Sequence, residues 1–164
     1  MTVLEHDLME AEQLGFRCEL AGGVGTWELH PVLKHQETID VIRAKIRRKP
    51  GHPGDCGCLH YAGLLIRFPD GSLKRPDIAV FCRRPEEDDR AVTLIPSAVI
   101  EVLSRGFEAK DVQIGAPFYL SQGVQDVILV DPDSGEVTHL RPGVERRLAS
   151  PVEIELACGC VLTA

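Results

Sequence analysis

The chain has 164 residues, with 18 Lys and Arg against 25 Asp and Glu for a formal net charge of −7, and 44% of it is hydrophobic. That supports one packed domain spanning residues 1–164 and excludes a disordered chain. The negative balance argues against constitutive coating of nucleic acid, while leaving room for an enzyme that meets it through one local basic patch.

Residues 3–14 place Val3, Leu4, Leu8, Ala11 and Leu14 near helical spacing and predict a short helix. Cys18–Ala21 and Thr26–Leu29 flank Gly22-Gly23 as a β-hairpin. A second helix is expected from Val32 to Lys49, with Leu33, Ile39, Ile42 and Ile46 as its apolar stripe and Pro50 as its stop. Its basic face and end, Arg43, Arg47, Arg48 and Lys49, suit phosphate contacts and are the candidate DNA-binding residues. Lys49–Gly57 reads as a loop. Strands are expected at about 59–68, 77–82, 97–103, 125–131 and 136–141, with a final pair near 151–163. Between them a helix begins near Pro117, because proline is tolerated in a first turn. This order predicts an α/β (α+β) domain built on a mixed sheet.

The apolar runs, Ala98–Leu103 among them, are too short for a bilayer, which takes ~20 residues. The first residues, MTVLEHDLMEAEQ, carry charges where a secretory signal needs an apolar stretch. A soluble, cytoplasmic protein without membrane partners is therefore expected, and its six cysteines are expected as free thiols or metal ligands rather than as a disulfide framework.

Two carboxylates stand where strands disfavour them. Glu101 has Val99 and Leu103 on its own face and Ala98, Ile100 and Val102 opposite, so it is expected to be buried. An ionised glutamate there is costly unless paired or bound to a cation. Asp77 opens the apolar run Ile78–Phe81. Two carboxylates converging from adjacent strands make a hard oxygen site for Mg²⁺ or Mn²⁺. The competing reading makes Asp77 a turn cap and pairs Glu101 with an arginine.

Arg17-Cys18-Glu19-Leu20 with Gly22-Gly23 is followed by His35-Gln36, Arg75-Pro76-Asp77 and Glu101-Val102-Leu103-Ser104. Asp111, Tyr119 with Gly123-Val124, and Ile128-Leu129-Val130-Asp131-Pro132 complete the series. Over about residues 15–140 this order resembles the bacterial Uma family of restriction-endonuclease-like proteins, within the PD-(D/E)xK nuclease superfamily. The resemblance implies a restriction-endonuclease-like mixed sheet flanked by helices and metal-dependent hydrolysis of DNA phosphodiesters. It makes Asp77 and Glu101 metal ligands and catalytic residues, with Glu19 joining the metal site. The superfamily often carries a lysine two residues after the strand glutamate, where this chain has Leu103, and the Uma pattern puts one at the position of Gly115. Lys110 and Lys74 are the nearby substitutes. DNA is the implied partner, and a homodimer is left open.

Cys56-Gly57-Cys58 and Cys158-Gly159-Cys160 form two CxC pairs, with His52 and His60 near the first. Four thiolates at Cys56, Cys58, Cys158 and Cys160 would make a tetrahedral Zn²⁺ site. Because CxC is a weaker chelate than CxxC and the pairs lie a hundred residues apart, they are expected to contribute packing instead. Two rivals to the nuclease remain: a degenerate nuclease fold that binds nucleic acid or a protein, and a zinc-stabilised interaction module.

Overall fold

A computed structural model describes residues 3–29, 32–106 and 108–164. Its centre is a six-stranded sheet built on three short strands, β7 (Ile78–Phe81), β8 (Ala98–Val102) and β9 (Asp126–Val130). Every residue of the three is buried, as expected of near-continuous Val, Ile and Ala runs covered on both faces. β8 runs parallel to β9 and antiparallel to β7, so the sheet is mixed. β4 (Leu59–Ala62) closes one edge, and the hairpin of β10 (Glu136–Arg141) with β11 (Val144–Ala149) closes the other.

One face of this sheet, through Ile78, Val80, Ile100 and Ile128, packs on Ile39 and Ile42 of α2 (Leu33–Arg43) and on Ile154 and Leu162 of a C-terminal hairpin. That hairpin, β12 (Glu153–Glu155) and β13 (Cys160–Thr163), forms a three-stranded sheet with β3 (Arg47–Arg48). The other face, through Ala79, Phe81, Val99 and Val127, packs on Phe118 and Tyr119 of α3 (Ala116–Ser121) and on Ile66 and Phe68. Here lies a four-stranded sheet made of β1 (Phe16–Ala21), β2 (Val24–Leu29), β5 (Ile66–Arg67) and β6 (Leu73–Lys74), beside α1 (Val3–Gln13). Among the described residues no helix is long and apolar enough to cross a membrane.

Two local expectations are corrected and a third is extended. The second helix stops at Arg43, because Arg47 and Arg48 turn to pair with Val161 and Cys160. The segment 59–68 divides at Gly63, whose φ of +61° breaks the extended chain, and its halves join different sheets. The helix at Pro117 is preceded by a π-helical turn, Lys110–Gly115, since proline has no N–H to continue an α-helical ladder across it.

Candidate active site

The antiparallel register that pairs Ile78 with Ile100 sets Asp77 directly opposite Glu101. Opposed residues share a face, so both carboxylates point toward α3 and β1. Each is held by the other's strand. The Asp77 backbone N–H donates to Glu101 Oε2 at 3.0 Å, and the Val102 N–H donates to Asp77 Oδ2 at 2.8 Å. The Tyr119 hydroxyl donates to Glu101 Oε1 at 2.8 Å.

β1 supplies the next groups. Its alternation is inverted: Arg17, Glu19 and Ala21 point inward while Phe16 is exposed. Arg17 Nη1 donates to Asp77 Oδ1 at 2.9 Å, and Arg17 also donates to the Arg75 carbonyl. From the opposite layer, His35 Nε2 on α2 stands 3.1 Å from the same Asp77 oxygen, and its Nδ1 is 3.0 Å from the Ser104 hydroxyl. Glu19 accepts from the Arg75 N–H at 2.7 Å and is ion-paired with Lys74. Lys110 Nζ lies 3.8 Å from Glu19 and 3.1 Å from Asp111 Oδ1. Lys74 is fully buried, its ammonium 5.5 Å from the centre of the Tyr119 ring.

The electrostatics divide this cluster in two. Burial works to raise Asp77, but the His35 ring and the Arg17 guanidinium outweigh it and hold the carboxyl well below the usual range. Burial likewise opposes Glu19, yet the charges of Lys74, Lys110 and Arg17 bring it down to about 2. Glu101 goes the other way: burial first, then the charges of Asp111 and Asp77, push it well above the carboxylate range. Burial, reinforced by Asp77 and opposed by Lys110, carries Asp111 up to about 6.

Four buried carboxyls thus face Arg17, Lys74 and Lys110, and the shortfall of positive charge shows in Glu101 and Asp111, whose ionised forms are disfavoured. A hard divalent cation fits this donor set, since it would supply the charge that the protein cations leave short. Among the described residues no three of these carboxylate oxygens come within 4.8 Å of one another, because each is drawn to its own N–H, hydroxyl or cation.

Asp77, Glu101, Glu19, Lys74 and Lys110 therefore come together, and the candidate DNA-binding residues do not join them. Arg47 pairs with Glu153 at 2.8 Å, Lys49 with Glu155 at 2.6 Å, Arg48 donates to the Gly54 carbonyl, and Arg43 Nε is 3.4 Å from His60 Nδ1. Arg47, Arg48 and Lys49 reach partners on the C-terminal hairpin and the 51–60 loop while staying accessible to solvent, Arg47 and Lys49 with side chains 55% and 40% exposed. Arg43 lies against β4. Sequence reasoning named Arg17, His35, Asp111 and Tyr119 only as members of the motif series and gave none of them a role at the site. The usable signal was β1, where charged Arg17 and Glu19 share one parity between Phe16, Cys18 and Leu20.

The cysteines also depart from expectation. Cys56 joins Cys82 and Cys58 joins Cys160 in disulfides, leaving Cys18 and Cys158 free. The pairing is topological in origin: β4 lies beside β7, which ends next to Cys82, and the turn before β13 carries Cys158 and Cys160 to the 56–58 segment.

Residues 7–157 match the model of the Uma2 family, described as putative restriction endonucleases. Among solved structures, the chain is similar to a putative nuclease belonging to DUF820 from Anabaena variabilis, with a TM-score of 0.62 and 25% identity over 85% of this chain and 81% of that one. No curated protein matches.

Proposed function

The chain belongs to the Uma2 family of restriction-endonuclease-like proteins, and on that premise we propose that it is a Mg²⁺- or Mn²⁺-dependent endonuclease that hydrolyses DNA phosphodiester bonds, of PD-(D/E)xK type. The observation that carries this reading is the opposed pair Asp77 and Glu101, buried side by side with Lys110 and Glu19 in reach. Asp77 and Glu101 would hold the cation, with Glu19 beside them. When bound, it supplies Lewis-acid polarisation of the scissile phosphate and a water of lowered pKa.

The remaining work belongs to the chain. Arg17 and His35 fix the Asp77 carboxylate and keep it ionised. The Tyr119 hydroxyl orients Glu101, and its own pKa, raised by burial and then by the Glu101 charge, keeps it a donor. Lys74 is sealed against Glu19 and positions it. Lys110 lies at the rim, its side chain 10% exposed, and its ammonium would steady an attacking water and the charge that grows on the phosphate. It begins the π-helical turn that ends at Gly115, where a Cβ would lie 3.4 Å from the Lys110 carbonyl and 3.9 Å from Asp111 Oδ1. The turn thus sets Lys110 one coil away from the position where the Uma pattern carries its lysine.

Cleavage of supercoiled plasmid and of single-stranded DNA with Mg²⁺, Mn²⁺ or chelator tests the proposal. Metal-dependent nicking that disappears with Asp77→Asn and with Glu101→Gln is expected. Metal-dependent cleavage surviving in both variants would overturn it.

A further inference from the structure

Five sulfurs gather at the far end of β7, apart from the carboxylates. Those of Cys56, Cys58 and Cys160 lie within 4.8 Å of one another, and so do those of Cys56, Cys82 and Cys158. Cys160 Sγ is 3.5 Å from Cys56 Sγ and 3.5 Å from Cys158 Sγ, although its bond is to Cys58. Two disulfides serve four of these sulfurs and leave Cys158 in contact with a bonded one. Around Zn²⁺, with Zn–S near ~2.3 Å, tetrahedral sulfurs stand about 3.8 Å apart, close to the two 3.5 Å separations.

The backbone is shaped for such a site independently of the sulfur chemistry. In the C-terminal turn the Leu156 N–H donates to the Cys160 carbonyl at 2.8 Å and the Gly159 N–H to the Leu156 carbonyl at 3.0 Å, curling the chain around Cys158. Gly159 has φ of +92°, and a Cβ there would collide with the His52 ring, so glycine alone fits the turn. Cys58 has a φ of +50°, alone among the described non-glycine residues in being positive, so the 56–58 CxC segment departs from an extended path there. The Gly57 N–H to Cys82 carbonyl bond and the Lys49 N–H to Gly159 carbonyl bond, both 2.9 Å, fix the two turns to β7 and to the end of β3.

We infer that in its reduced form this cluster is a structural Zn²⁺ site with Cys56, Cys58, Cys158 and Cys160 as ligands. A cellular dithiol delivers two electrons and two protons to each disulfide and is itself oxidised to a disulfide, so that Cys56, Cys82, Cys58 and Cys160 become thiols. Zn²⁺ then takes four thiolates, Cys158 among them, and four protons leave to solvent. Cys82, exposed and 3.4 Å from the Ser97 hydroxyl, is the sulfur left over. Four thiolates leave no open position for water, so the site ties the 51–60 loop to the C-terminal hairpin and takes no part in hydrolysis.

The test uses the full chain, purified with a phosphine reductant and no chelator. About one zinc per chain by elemental analysis is expected. Co²⁺ in its place should give the intense visible bands and sulfur-to-cobalt charge transfer of tetrahedral thiolate coordination. Cys158→Ser should weaken those bands, while Cys82→Ser and Cys18→Ser should keep them, and zinc should survive in Asp77→Asn. A reduced wild-type chain that takes up no stoichiometric zinc, or a Co²⁺ spectrum of oxygen coordination, would overturn the inference. So would retention in Cys158→Ser coupled with loss in Cys82→Ser, which would assign the wrong fourth ligand. None of these readouts depends on cleavage, so the nuclease proposal stands or falls separately.

Discussion

β7 has Asp77 at one end and Cys82 at the other, and the contrast between those ends is instructive. At the first, four buried carboxyls are pulled in opposite directions, two held down by cations and two pushed up by burial and by one another. At the second, in the disulfide form, neutral sulfurs join the strands and no charge lies among them. A group that serves only the fold settles into one partnership. A group kept under competing demands costs stability, and such tension is the usual signature of a site held ready for a ligand.

The largest expected effects come from separating Asp77 from Glu101, which chemistry unites and electrostatics divides. Both Asp77→Asn and Glu101→Gln should lower cleavage by on the order of 10³-fold, as loss of a metal ligand in a preorganised site does. Their effects on the metal-free fold should diverge. Asp77→Asn leaves Arg17 buried without its 2.9 Å carboxylate partner, a loss of about 3–5 kcal/mol. Glu101→Gln removes a carboxyl whose charge burial disfavours, but its amide oxygen can accept only one of the bonds now made by Tyr119 and the Asp77 N–H, so it should cost less stability than Asp77→Asn. Denaturant melts of both variants in chelator check this, and equal destabilisation would erase the distinction between the two carboxylates.

Lys110→Met comes next, with cleavage down by about 10²-fold and metal affinity retained, measured by calorimetric titration of Mn²⁺. Lys74→Met should instead cost stability, because it leaves Glu19 buried beside an apolar tip. If Lys74→Met leaves the fold intact and removes cleavage alone, the roles of the two lysines are exchanged.

The same contrast governs how much was legible from residues alone. Asp77 and Glu101 stood out because a charge inside an apolar strand violates a local rule, and a violated rule can be read without knowing the fold. The mixed sheet was legible for the same reason: buried Val and Ile runs at 78–81, 98–102 and 126–130 advertise themselves. β11, reading Val-Glu-Arg-Arg-Leu-Ala and almost wholly exposed, has no such pattern and was missed. Arg17 and Tyr119 were hidden because their partners lie far along the chain, and only the register of β1 against β6 and the packing of α3 bring them in. Convergence of the cysteines is a consequence of β13 pairing with β3, a contact between residues more than a hundred positions apart that no local signal encodes.

The smallest effect is a matter of pH. In the folded protein Asp111 keeps its proton up to about 6, against an ordinary value of 3.8. The fold therefore gains from this group below 3.8 and loses that gain as the pH rises through about 6, by on the order of 1–3 kcal/mol. Metal-free protein should show Tm falling across this window, and Asp111→Asn should flatten the slope. Adding Mg²⁺ should restore Tm more at pH 8 than at pH 5, since a cation beside these carboxyls offsets the charge that Asp111 takes on as it loses its proton. At the cysteine end the nearby Asp126 carboxyl, which burial works to raise but hydrogen bonds from His139 and Arg141 hold below its usual range, ionises below this window, so Cys82→Ser should leave the slope as it is in the wild type. A slope that changed with the cysteine and not with Asp111 would place the charge tension at the wrong end of β7.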